Sequence, residues 1–180
     1  MYRASAFLVT GSGIDPSMGP EAASLIARHQ IDVSSRGVFL DGRDISAELR
    51  TPEVSEAASI ISSHREVRDQ MVALQKAFGR KHDTVAEGRD MGSVVFPEAF
   101  LKVYVVADIA IRAVRRLKDL GGGAMSKMVS AMFVRDHRDR NRAESPLRLP
   151  PGAIWLDGTS MTVDEQVEFV LMHYQRRRSS

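Results

Sequence analysis

The run Thr84-Val-Ala-Glu-Gly-Arg-Asp-Met-Gly-Ser-Val-Val-Phe-Pro97 limits the folding of this chain more than any other feature. Its β-favouring start predicts a strand over 84–87 that stops at Glu87-Gly88. Arg89 and Asp90 then fall at the strand's carboxyl end, held between Gly88 and Gly92. In open parallel α/β sheets ligands gather in the crevice beyond the strand carboxyl ends, so charged residues there are candidates for function. Glycines on both sides let the backbone turn sharply and let a ligand come close. The Arg89 guanidinium has the fork that phosphate calls for, and Asp90 accepts from amino or hydroxyl donors. A buried turn with an internal Arg-Asp salt bridge is the competing reading.

The rest of the chain alternates between helix-like and strand-like periodicity. Helices are predicted over 2–9, 20–30, 51–62 and 66–78, with Pro20 suited to a first turn and Thr51 to a cap. Short strands are predicted over 31–33 and 38–40, with Asp41-Gly42 a turn signal after the second. Beyond the opening stretch come strand 101–106, helix 109–120, the flexible Gly121-Gly-Gly123, helix 125–142, strand 153–156 and helix 162–176. Strands alternating with helices in the second half imply a mostly parallel sheet, and the early helices with their hairpin read as an insertion.

At 180 residues and 43% hydrophobic, the chain suits one soluble domain. Its net charge is only +2, yet 20 of its 25 basic residues are arginine. Arginine grips phosphate or carboxylate at two points, so an anionic small ligand is implied, against a mere compositional habit. The absence of cysteine rules out disulfides and thiolate chemistry. No apolar run approaches bilayer length and no signal-peptide order is visible, so the cytoplasm is the expected location and no membrane partner is expected.

A second motif is Arg135-Asp-His-Arg-Asp-Arg-Asn-Arg142. At helical spacing Arg135, Arg138, Asp139 and Arg142 share one face, which suits a phosphorylated sugar. A solvated helix with internal ion pairs is the bland reading, and a nucleic-acid footprint is another. Two interrupting aspartates and the near-balanced charge argue against nucleic acid. Arg112, Arg115 and Arg116 recur at offsets of three and four, which alone more often marks a wet face than a site. Ser55, Ser59 and Ser62 likewise read as one helix surface.

The two motifs, in this order, resemble the Gly-Arg-Asp-Met-Gly and Arg-Asp-x-Arg-Asp-x-Asn-Arg signatures of the bacterial cytidylate (CMP) kinases. Ala143-Glu-Ser-Pro-Leu147 is similar to that family's Ala-x-x-Pro-Leu, although His137 stands where an acidic residue is common. Further likenesses are Met1-Tyr-Arg-Ala4, Leu40-Asp-Gly-Arg-Asp-Ile-Ser46, Arg50-Thr-Pro-Glu-Val54 and Trp155-Leu-Asp-Gly-Thr159, so the resemblance covers nearly the whole chain. It implies one domain over 1–180, a nucleoside-monophosphate-kinase-like parallel sheet flanked by helices. Within it, about 31–80 would be the monophosphate-binding insertion and about 117–145 the lid and its flanking helices. The lid tip, Gly121 to Ser126, is shorter and less charged than is usual in the family.

Carried over residue by residue, the resemblance puts Ser59, Arg68 and Asp90 on the cytosine edge and Arg135 and Asp139 on the sugar. Arg3, Arg89 and Arg142 would hold the 5′-phosphate, with Arg89, Arg135 and Arg142 also acting in catalysis. Arg112, Arg115 and Arg116 would face ATP. The implied reaction is transfer of the ATP γ-phosphoryl group to CMP or dCMP, with Mg2+, by a monomer that binds nucleotides and no nucleic acid. No residue is expected to ligate a metal.

One gap stands in the resemblance. No Gly-x-x-x-x-Gly-Lys-[Ser/Thr] phosphate loop occurs in the 180 residues. In the family that loop precedes the segment matching Met1, together with the first strand and first helix. The simplest expectation is a truncated chain whose first methionine is internal; a degenerate paralogue or a loop supplied by another polypeptide comes second. Three functions therefore stay open: a kinase by family with this chain alone inactive, a catalytically inactive CMP-binding or regulatory relative, and a basic nucleic-acid-binding protein.

Overall fold

The computed structural model describes residues 1–179, which form two compact units, Met1–Val85 and a second beginning at Ala86. The first holds α1 (Tyr2–Gly11), α2 (Gly19–Ile26), β1 (Ile31–Ser34), β2 (Gly37–Leu40), β3 (Arg43–Asp44), α3 (Pro52–Ile61) and α4 (Arg65–Gly79). Thr51 caps α3 as expected: its hydroxyl accepts from the Val54 N–H at 3.2 Å, and Pro52 occupies the first turn, where its missing N–H costs nothing. The helix predicted over 20–30 ends earlier, at Ile26. Its last turn tightens through Arg28 N–H to Leu25 O and His29 N–H to Ile26 O, and β1 begins at Ile31.

β1, β2 and β3 form an antiparallel sheet, with Ile31 opposite Leu40 and Leu40 opposite Arg43. The connection between β2 and β3 is the Asp41-Gly42 turn. Both residues have positive φ, 50° and 82°, the backbone hand that a two-residue hairpin needs. Asp41 also ties the sheet to the end of α2: its carboxylate accepts from the Gln30 N–H at 2.8 Å and meets the His29 ring at 2.6 Å. α1 packs on α3 and α2 on α4. Their apolar faces make one core that includes Val9, Ile26, Ile61, Val67 and Met71. Fully buried side chains of this size contribute roughly 1.5–3 kcal/mol each relative to exposure, so these helices hold the unit together.

The second unit does not begin with the strand expected over 84–87. Those residues have no regular structure, and Val85 is fully exposed. β-propensity describes a fit to a paired, half-buried surface, and among the described residues no strand pairs with this segment. After Asp90 the chain makes a π-helical turn, Met91–Val95, in which the Asp90 carbonyl accepts from the Val94 and Val95 N–H groups at 2.9 and 3.2 Å. Then follow β4 (Val103–Val106), α5 (Ile109–Asp119), α6 (Met125–Asn141), β5 (Ile154–Asp157) and α7 (Val163–Arg178).

β4 and β5 pair in parallel, Val103 opposite Ile154 through Val106 opposite Asp157. This is the parallel sheet that the alternation predicted, and among the described residues no third strand joins it. Asp108 caps α5, accepting from the Ala110 N–H at 2.7 Å, and Thr162 with Glu165 forms a capping box on α7. Gly121, Gly122 and Gly123 all have positive φ, so the α5–α6 connection uses a conformation that other residues rarely adopt.

Candidate functional site

The two sequence motifs meet in the second unit. Arg89 donates from Nε to Asp139 Oδ2 at 2.7 Å, and Arg135, one helical turn before Asp139, lies 3.9 Å from the same oxygen. Arg142 pairs in the other direction, with Nη2 at 3.9 Å from Asp90 Oδ1. The pairing is therefore crossed: Asp90 meets Arg142 of the second motif and Asp139 meets Arg89 of the first. The internal Arg89–Asp90 salt bridge, the bland reading of the turn, is not the arrangement found. The Asp90, Asp139 and Arg142 side chains are each only 4% exposed, whereas Arg89 remains 42% exposed and able to meet a ligand. Burying a carboxylate is costly unless it is paired, and Arg89 and Arg142 supply partners for Asp139 and Asp90.

Local structure explains the placement. Asp139 sits in the last full turn of α6, and Arg142 is its C-cap, with φ −61° and ψ 143° turning the chain away. Arg142 then donates from Nε to Ser145 O at 2.7 Å, and Leu147 N–H returns to Asp139 O at 2.7 Å. Arg140 and His137 lie exposed on other faces of α6. Gly88 lies in a bend and Gly92 in the π-helical turn, neither with positive φ. Gly92 instead gives close packing: a Cβ there would come within 3.0 Å of the Lys102 and Pro150 side chains.

In the first unit, Ser55, Ser59 and Ser62 are all buried, so the reading of them as a solvated helix surface is corrected. The small residues Ala57 and Ala58 beside them let α3 sink further into the core than its large apolar residues alone would require. Arg68 is also buried, donating to Ser62 O at 3.2 Å with its guanidinium carbon 5.9 Å from the Tyr2 ring centre. Arg3, on α1, donates to Leu49 O at 2.8 Å. Buried polar side chains thus cluster at Ser59 and Arg68 in the first unit and at Asp90 and Asp139 in the second.

The three α5 arginines are not a uniform wet face. Arg112 bonds Ala107 O at 3.0 Å and Asp136 Oδ2 at 2.7 Å, joining α5 to α6. Arg115 donates to the carbonyls of Gly158 and Met161 at 2.8 and 3.0 Å, fixing the loop after β5. Arg116 is half-buried. In that loop Asp157 accepts from the Thr159 hydroxyl and N–H, which hold its carboxyl below the ordinary 3.8. A groove of about 540 Å³ beside α5 and α6 is lined by Arg112, Phe133, Asp136, His137 and Arg140, and by none of the residues of the crossed pairs.

Sequence reasoning missed Asp136 and Ser145. Asp136 stood inside the octet but off the face that drew attention. Ser145 acts through its backbone carbonyl, for which the one available signal was Pro146 following it.

A parallel strand pair with flanking helices and a clustered set of arginines and carboxylates defines an α/β protein of the nucleoside monophosphate kinase type. The family model described as cytidylate kinase matches residues 1–176. A cytidylate kinase of Chlorobaculum tepidum is 39% identical over 180 residues, covering 94% of this chain and 77% of that protein. Cytidylate kinases of Lactobacillus johnsonii and Polynucleobacter asymbioticus are 33% and 37% identical, with 100% and 97% of this chain and 82% and 81% of theirs covered. The chain belongs to the cytidylate kinase family.

Proposed function

We propose that the chain binds CMP and dCMP and serves the transfer of the ATP γ-phosphoryl group to their 5′-phosphate. The observation that carries this reading is the crossed pairing of Arg89 with Asp139 and of Arg142 with Asp90. It holds two guanidinium groups beside two buried carboxylates, a set that matches a phosphate and sugar hydroxyls together. Arg3, Arg89 and Arg142 take the phosphate. Arg135 and Asp139 take the sugar. Ser59 and Asp90 accept the cytosine amino hydrogens while Arg68 donates to its ring nitrogen and carbonyl.

In the reaction an oxygen of the CMP phosphate bonds the γ-phosphorus as the β–γ bridging bond breaks. The arginines hold the acceptor in line and stabilise charge on the transferring oxygens. Arg112, Arg115 and Arg116 face ATP, with Arg112 also bonded to Asp136 of α6 and Arg115 to the loop after β5. Magnesium would ride on the nucleotide phosphates. Among the described residues no group of three or more His, Cys, Asp or Glu could hold a metal ion.

No Gly-x-x-x-x-Gly-Lys-[Ser/Thr] loop occurs in the 180 residues, so CMP binding without turnover is the second reading for this stretch taken by itself. The nucleic-acid reading is weaker, because Asp139 and Arg142 of the basic octet are turned into the protein. The test is a coupled assay of CMP phosphorylation on the 180-residue chain. A second arm uses the chain with a strand, a Gly-x-x-x-x-Gly-Lys-[Ser/Thr] loop and a helix placed ahead of Met1. Turnover of CMP but not AMP in the second arm alone is expected. A fused protein that folds and binds CMP without turnover supports the second reading, and robust turnover by the 180-residue chain would overturn the role given to the loop.

A further inference from the structure

We propose that Ser145 is a positioning residue for the phosphate grip, acting through a left-handed backbone that aims its carbonyl at Arg142. The inference rests on the assignment of Arg142 to the 5′-phosphate. Ser145 has φ 49°, and among the described residues the other non-glycine with positive φ, Asp41, lies in a hairpin turn where that hand is ordinary. No hairpin surrounds Ser145. It also precedes Pro146, and a following proline pushes a residue toward extended backbone. The conformation is thus disfavoured on two counts and persists only where its surroundings over-determine it.

Those surroundings are the site itself. Arg142 Nε donates to Ser145 O at 2.7 Å, and Leu147 N–H donates to Asp139 O at 2.7 Å. The return from α6 is therefore pinned at both ends by residues of the crossed ion pairs. A guanidinium bonded through Nε is fixed in plane, and its Nη2 edge then points toward Asp90, 3.9 Å away. An extended residue at 145 would turn the carbonyl away and remove this bond from the Arg142 guanidinium. The Ser145 hydroxyl has no part in this; what matters is which φ the residue tolerates.

Tolerance of the left-handed region orders the test. Glycine and asparagine accept it, alanine less so, and valine least. The experiment is calorimetric titration of the full chain and its Ser145→Gly, Ser145→Asn, Ser145→Ala and Ser145→Val variants with CMP and with cytidine, each variant's melting temperature read alongside. Ser145→Gly and Ser145→Asn should keep CMP affinity. Ser145→Val should lose about five- to thirtyfold, the cost of forcing this backbone on a branched residue. Cytidine affinity should fall much less than CMP affinity, because cytidine has no phosphate for Arg142 to grip; a general loss of structure would lower both equally. Should Ser145→Val not fold, Ser145→Ala must bind CMP more weakly than Ser145→Asn. A preference of the parent chain for CMP over cytidine that survives Ser145→Val, or equal losses for both ligands, overturns the role of Ser145. Equal binding of CMP and cytidine by the parent chain overturns the phosphate assignment and this inference with it.

Discussion

Replacing Arg142 by alanine, with Arg140→Ala as control, separates a built site from a basic patch. The two residues lie at the same end of α6, but the Arg142 side chain is 4% exposed and Arg140 is open to solvent. Truncating Arg142 leaves Asp90, equally buried, without this ion-pair partner and removes the donor to Ser145 O. Breaking a buried pair from one side costs roughly 3–5 kcal/mol. The 3.9 Å separation from Asp90 is long for a hydrogen bond, so the lower end, ~3 kcal/mol, is the better figure. For a chain of this length that corresponds to a fall in melting temperature of roughly 6–12 °C. CMP affinity should fall by a further ~1.5–3 kcal/mol, about 10- to 150-fold, the range for hydrogen bonds to charged groups. Arg140→Ala should change neither. Thermal melts and calorimetric titrations of both variants decide the matter, and an Arg142→Ala protein indistinguishable from Arg140→Ala in both would refute the reasoning.

Two further outcomes are expected. Gly19→Ala should destabilise the first unit by about 1–3 kcal/mol in urea titration, because its Cβ would come within 2.7 Å of the His64 ring, which is itself held to Pro16 O; an unchanged midpoint would contradict this. Asp157 should titrate below 3.8 by NMR, and Thr159→Val should raise its pKa toward the ordinary value. Since the folded pKa is the depressed one, the stability it contributes is present above the unfolded value and is lost as pH falls through the folded pKa. The parent should therefore exceed Thr159→Val in stability at neutral pH, with the difference closing in acid; a gap that persists below both pKa values would argue against the Thr159 bond as its source.

Helices were legible in this sequence because their signals are local. Thr51 was expected to cap α3 and does so; Asp108 and Thr162 with Glu165 cap α5 and α7 through contacts that are just as local. The strand expected at 84–87 failed because pairing is not local: Thr84-Val-Ala has the right residue types, and nothing in those types supplies a neighbour. The wiring between the two motifs was not legible. Arg89 and Asp139 are 50 residues apart in sequence, so the crossed pairing could not be read from either motif alone. Ser59 looked like surface because serine is usually exposed, yet the alanines beside it bring α3 close enough to bury it. Ser145 was illegible in kind, since a carbonyl acting through backbone geometry leaves no side-chain signature.

The central claim, that these residues form a cytidylate acceptor site, is tested most directly by calorimetric titration of the full chain with CMP and AMP side by side. Hydrogen-bonding groups left unpaired by a wrong base edge exact a large penalty, so CMP should bind tighter by on the order of 100-fold or more. Equal affinity for CMP and AMP would contradict the account, because Ser59, Arg68 and Asp90 would then not be reading a cytosine.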